Sequence, residues 1–107
     1  MQDIEQLKNE ITDRLKPLHP YQVILFGSYV YGTPDENSDL DICVIEKGQI
    51  SKRKRKSIIR EALKDIKLPK DILVESYDYF MSHSDENWIN TALYDTRHEG
   101  VVLYEQK

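Results

Sequence analysis

The chain has 107 residues, one cysteine and a formal net charge of −4, from 15 Lys and Arg against 19 Asp and Glu. That length suits one domain spanning residues 1–107, able to bury a core without staples, and a lone Cys43 excludes an intrachain disulfide. The acidic balance disfavours nucleic acid as the main partner. No apolar run approaches the roughly 20 residues of a membrane span, and the polar start Met1-Gln2-Asp3-Ile4-Glu5 lacks the segments of a signal peptide, so a cytoplasmic protein is expected.

Ile4, Leu7, Ile11, Leu15 and Leu18 recur at helical spacing, which predicts a first helix at about residues 3–16, stopped by Pro17 and Pro20. Tyr21 to Phe26 is a short run of strand formers ended by Gly27. Ser28 to Gly32 allows one helical turn, and Thr33 to Ser38 reads as an exposed loop. The second strand is Asp39-Leu40-Asp41-Ile42-Cys43-Val44-Ile45, with Asp39, Asp41, Cys43 and Ile45 on one face. Ser51 is a plausible N-cap for a helix over 52–67 whose apolar stripe is Ile58, Ile59, Ala62, Leu63 and Ile66. A third strand covers Lys70 to Ser76, with Asp71 and Leu73 on one side and Ile72 and Val74 on the other. A helical turn at 77–81 leads to a helix at about 85–96, and Val101 to Tyr104 forms a last strand. This order predicts an α/β (α+β) domain with a mixed, mostly antiparallel sheet packed with helices; the first two strands, joined by a short loop, should be antiparallel if adjacent.

Asp39 and Asp41 carry the most chemical information. Aspartate is disfavoured in strands, and two on one face stand roughly 6–7 Å apart. Their repulsion raises their pKa values unless something positive lies between them. Oxygen ligands at that spacing suit magnesium bound to phosphate oxygens. Asp71 offers a third carboxylate if its strand lies beside that of Asp41, and three suffice for a two-metal phosphoryl-transfer site. Gly27-Ser28 supplies the complementary half: a glycine directly after a strand permits close approach, and the following N–H groups and a hydroxyl can grip phosphate. Taken singly, a Gly-Ser is most often a turn and an Asp-x-Asp is as often a solvated strand start. Taken together, Gly27-Ser28, ten residues, then Asp39-Leu40-Asp41 is expected by chance on the order of 10⁻³ in a chain this short.

The segment from Leu25-Phe26-Gly27-Ser28-Tyr29-Val30-Tyr31-Gly32 through Ser38-Asp39-Leu40-Asp41 resembles the signature of the polymerase-beta-type nucleotidyltransferases. The small size resembles their minimal nucleotidyltransferase (MNT) subgroup, over roughly residues 3 to 104. The resemblance implies a polymerase-beta-like fold, with Gly27 and Ser28 holding the triphosphate of ATP and Asp39 and Asp41 binding two Mg2+ ions (Mn2+ being an alternative). Asp71 would complete one metal site and assist the attacking hydroxyl. Larger relatives carry extra substrate domains for which 107 residues leave no room. A HEPN-domain protein partner is therefore implied, as in toxin–antitoxin modules where AMP is moved from ATP to a tyrosine of the toxin; self-association is also allowed. Two other readings stay open: an interaction protein that neutralises its partner by binding alone, and an enzyme acting on a small-molecule hydroxyl.

The block Lys52-Arg53-Lys54-Arg55-Lys56 opens a helix, where positive charge opposes the macrodipole. A solvated face is its ordinary meaning; contact with an acidic or RNA-bearing partner, or attraction of triphosphate, are the functional ones. Tyr29 and Tyr31 are expected to pack rather than stack on a base, and Trp88 to lie in the core. His19, His83 and His98 have no zinc-like spacing, and Cys43 should be buried and inert.

Overall fold

The computed structural model describes residues 4–31, 39–48, 51–83, 96 and 98–106, with Ser28 and Tyr31 described in backbone only. The first helix, α1 (Ile4–Leu15), buries Leu7, Ile11 and Leu15, the stripe its spacing predicts. Pro17, which has no N–H to donate, falls in a 3-10 turn, Lys16–Leu18. His19 then takes a left-handed φ of 55°, and its N–H bonds the Lys16 carbonyl at 3.1 Å. Strand β1 (Gln22–Phe26) follows, then the single turn α2 (Ser28–Tyr31). Next come β2 (Leu40–Glu46), α3 (Lys52–Ala62), β3 (Lys70–Ser76), α4 (Tyr77–Ser82) and β4 (Val101–Glu105).

The four strands form one sheet in the order β3-β2-β1-β4. β1 pairs antiparallel with β2 and with β4, whereas β2 and β3 run parallel. The sheet is therefore mixed and mostly antiparallel. The parallel pair is joined through α3, because a parallel connection must return along the sheet before the second strand starts.

Alternation along the strands divides the sheet into two apolar faces. On the first, Val23, Leu25, Leu40, Ile42, Val44, Ile72 and Val74 meet Leu7, Ile11 and Leu15 of α1 and Ile59 and Leu63 of α3. On the second, Ile24, Phe26, Cys43 and Ile45 meet Phe80 of α4, with Tyr21, Leu73 and Tyr77 packed at the rim. Two faces to cover explain why β2 is apolar on both sides beyond its start: Leu40 and Ile42 to Ile45 are each at most 1% exposed. Among the described residues no helix is long and apolar enough to cross a membrane.

Three boundaries differ from the sequence expectation. β2 begins at Leu40, so Asp39 lies just outside the strand. α3 ends at Ala62 rather than at 67, because the Leu63, Lys64 and Ile66 N–H groups bond back three residues to Arg60, Glu61 and Leu63. That tightening still leaves Leu63 and Ile66 buried, so the apolar stripe outlasts the helix. The helix expected at 85–96, with Trp88, lies outside the described residues except for its final position.

Candidate active site

The site is built where β1 ends and β2 and β3 begin. Antiparallel register sets Phe26 opposite Asp41, so the residue that follows Phe26 turns beside the Asp41 carboxylate. Gly27 occupies that place with φ +82°, and a Cβ on it would stand 2.0 Å from Asp41 Oδ2 and 2.9 Å from its Cγ. Both the backbone angle and the space therefore demand glycine. The Gly27 carbonyl accepts the Val30 N–H at 3.0 Å, closing the turn into α2. The backbone of Ser28 opens that turn; its hydroxyl lies outside the described residues. Tyr29 packs against the first core, as expected for a filling aromatic.

Parallel register then sets Asp41 directly beside Asp71. The adjacency on which the third carboxylate depended is therefore present. Both aspartates lie on the second sheet face, the one that carries Cys43 and Leu73. Asp41 is half-buried, whereas Asp39 and Asp71 are exposed. Burial pushes the Asp41 carboxyl above the ordinary carboxylate range, and the charges of Asp71 and then Asp39 push it further. Three like charges at one corner carry an unmet demand for positive charge.

That demand bears on a metal. Among the described residues no three His, Cys, Asp or Glu side chains stand close enough to hold an ion. The donor chemistry nevertheless fits a hard divalent cation: all three groups are carboxylates, they act on one another, and one lies tight against a glycine turn. Asp39, ahead of its strand and exposed, has the freedom to move toward the other two.

Glu75 is the alternative third carboxylate on the Asp71 side of β3. It stands opposite Ile45, near the far end of the strand, four residues and so roughly 13 Å from Asp71. It is only 8% exposed, and Lys52 Nζ lies 2.7 Å from its Oε2, though the angles there are not those of a hydrogen bond. Its position and its partner remove it from the site. Cys43, between the two ends, is fully buried, and burial followed by the Glu75 charge pushes its thiol far up, so it is inert. A cavity of about 340 Å³ lined by Lys47, Gly48, Ser76, Tyr77 and Asp78 opens at the opposite ends of β2 and β3, away from the three aspartates. Beside it, Lys47 Nζ lies 4.3 Å from the Tyr21 ring centre and 5.1 Å from that of Tyr77.

The chain is similar to known proteins in sequence and in shape. A family model described as nucleotidyltransferase domain matches residues 4–95. Over 76 residues the chain is 36% identical to the "Putative protein adenylyltransferase" of Methanocaldococcus jannaschii, covering 71% of this chain and 75% of that one. A structure of a toxin–antitoxin with AMP-PNP superposes with a TM-score of 0.65 at 21% identity, covering 94% of this chain and 74% of that one. A Shewanella oneidensis structure, a tri-AMPylated HEPN toxin in complex with MNT antitoxin, gives 0.62 at 16% identity over 97% and 74% of the two chains. These structural likenesses establish the fold, which is the polymerase-beta-like one.

Proposed function

The chain belongs to the nucleotidyltransferase domain family, and from that premise we propose that it moves AMP from ATP to a hydroxyl on a partner protein, a tyrosine of a HEPN-type protein. The enzyme class follows from the family; the nucleotide, the acceptor and the residue roles are the proposal. The observation that carries it is the register Phe26–Asp41–Asp71, which puts two carboxylates side by side against a glycine turn. The relative described as a protein adenylyltransferase and the tri-AMPylated HEPN toxin bound to an MNT antitoxin support the acceptor class.

In this reading Gly27 lets the chain approach the triphosphate, and Ser28 with the first N–H groups of α2 holds phosphate oxygens. Asp39, Asp41 and Asp71 would hold two magnesium ions, which supply positive charge to the triphosphate and to the acceptor oxygen. Asp71, exposed on the outermost strand, is open to an incoming chain. It orients the acceptor hydroxyl and takes up its proton as the oxygen attacks the α-phosphorus and pyrophosphate leaves. A group used only as charge develops affects rate more than ground-state binding. Asp71→Asn should therefore keep most of the ATP affinity and lose roughly 10²-fold or more in transfer. The test is incubation with labelled ATP, magnesium and a co-expressed HEPN partner, following label on the partner and on its tyrosine variants. Parent-level transfer by Asp71→Asn removes Asp71 from the role assigned to it. No label on any partner with either magnesium or manganese leaves neutralisation by binding as the function.

A further inference from the structure

The basic block at the start of α3 is unused by the site described above, and its cations divide into two groups. Lys52 and Arg55 point inward. Lys52 Nζ lies 2.7 Å from Glu75 Oε2 and 4.7 Å from the Tyr79 ring centre. Arg55 donates to Glu46 Oε1 from Nη2 at 2.6 Å and from Nε at 3.1 Å, and Nη2 also bonds the Leu18 carbonyl at 3.0 Å. These contacts fix the helix to the sheet at two points. Arg53, Lys54, Lys56 and Arg60 point away from those anchors, and among the described residues none of their side chains has an ion pair or hydrogen bond. Helical spacing sets Arg53, Lys56 and Arg60 along one flank and Lys54 with Ile58 along the other. Ile58 is 44% exposed, an apolar side chain among unpaired cations. Glu61, the nearest acid along the helix, is occupied by Lys64 at 2.8 Å.

We infer that this outer face of α3 is a docking surface for a protein partner whose contact region is acidic around an apolar centre. Six cations and no acid stand between Lys52 and Arg60, in a chain whose net charge is −4, so the remaining residues carry −10. A local positive field on an acidic body selects an acidic patch and repels an extended polyanion. The helix offers no aromatic ring on which a base could stack, and the exposed isoleucine gives a protein an apolar anchor beside arginines, the composition of an interface rather than of a phosphate track. Three unpaired cations in or near the first turn oppose the helix macrodipole, a cost that an acidic partner relieves. α3 packs on the first sheet face and the aspartates lie on the second, so an occupant of this helix leaves the nucleotide corner open.

Fluorescence anisotropy tests this with two probes: a labelled helical peptide bearing glutamates around leucines, and an oligouridine of equal length. The peptide should bind at about 50 mM salt and weaken as salt rises. Arg53→Glu with Arg60→Glu should weaken it roughly tenfold or more. Ile58→Ser should weaken it too, without changing the salt dependence. Lys16→Glu with Lys67→Glu makes the same change in net charge away from this face and should leave binding within about twofold. Circular dichroism confirms that each variant folds, and ATP affinity should be unchanged throughout. Failure of the peptide to bind, an undiminished Arg53/Arg60 variant, an equal loss in the Lys16/Lys67 variant, or tighter binding of oligouridine than of peptide would each overturn the inference.

Discussion

Gly27 and Asp41 are a single structural unit, and their substitutions should behave accordingly. A methyl at position 27 meets Asp41 Oδ2 at 2.0 Å, and the backbone is at φ +82°. Gly27→Ala must therefore either abandon the turn or displace the carboxylate, at a cost of about 1–3 kcal/mol. It should lower the urea midpoint and lose ATP binding together; a variant that bound ATP normally would show that the contact is dispensable. Asp41 also makes a pH prediction for the metal-free protein. Its carboxyl is raised above its ordinary value by burial, then by Asp71 and Asp39. The native state thus holds this proton more tightly than the unfolded chain. The associated stability is present below the ordinary aspartate range and is lost as pH rises through the raised value. In chelator, Asp41→Asn should be at least as stable as the parent at neutral pH, and the parent should lose its relative advantage as pH climbs out of the acid range. Thermal melts across that window check the sign, which a destabilised Asp41→Asn at neutral pH would reverse.

At the scale of elements, the decisive feature is how strands meet. Gly27, Asp39 and Asp41 were legible because their meaning is local: a strand end, a fixed interval and a second strand start. Asp71 was legible only as a candidate, since period-2 alternation gives the face of a residue but not which strand lies beside it. The contact between Gly27 and Asp41 was not legible at all; it needs the antiparallel register that sets Phe26 opposite Asp41. Asp39 was expected within the strand and lies before it, because aspartate gains little from a strand and the chain there is still leaving the loop. In α3 the run of five basic residues looks uniform, yet Arg55 lies four residues before buried Ile59, on the apolar side, and meets Glu46 there. Arg55→Ala would leave a carboxylate only 8% exposed without its partner. It should destabilise the protein by about 2–4 kcal/mol, while Arg53→Ala, on the outer flank, should stay within about 0.5 kcal/mol. Urea melts of the two variants compare them directly, and equal effects would contradict the inward and outward division of the block.

Across the whole molecule, the two sheet faces have different duties. The first is closed by α1 and α3, and its core sets the strand positions. The second carries the aspartates on those same strands, so the charge of the site is held by a framework that does not need it. A net charge of −4 and three carboxylates at one corner make that corner hostile to a bare triphosphate. ATP in chelator should therefore leave the melting temperature nearly unchanged. With magnesium present the repulsion is reversed, and binding to the native state alone adds RT ln(1 + [L]/Kd), about 2.7 kcal/mol at a hundredfold excess over Kd. For a domain of this size each kcal/mol raises Tm by roughly 4–8 °C, so the expected rise is about 10 °C or more. Asp41→Asn should remove most of that rise, because it removes charge from the corner without disturbing the first-face core. Scanning fluorimetry of parent and variant, with ATP in magnesium and in chelator, reads all four combinations at once. An equal rise for the parent in chelator would mean that the nucleotide is gripped without the help of a cation. An undiminished rise for Asp41→Asn in magnesium would mean that it is held somewhere other than this corner.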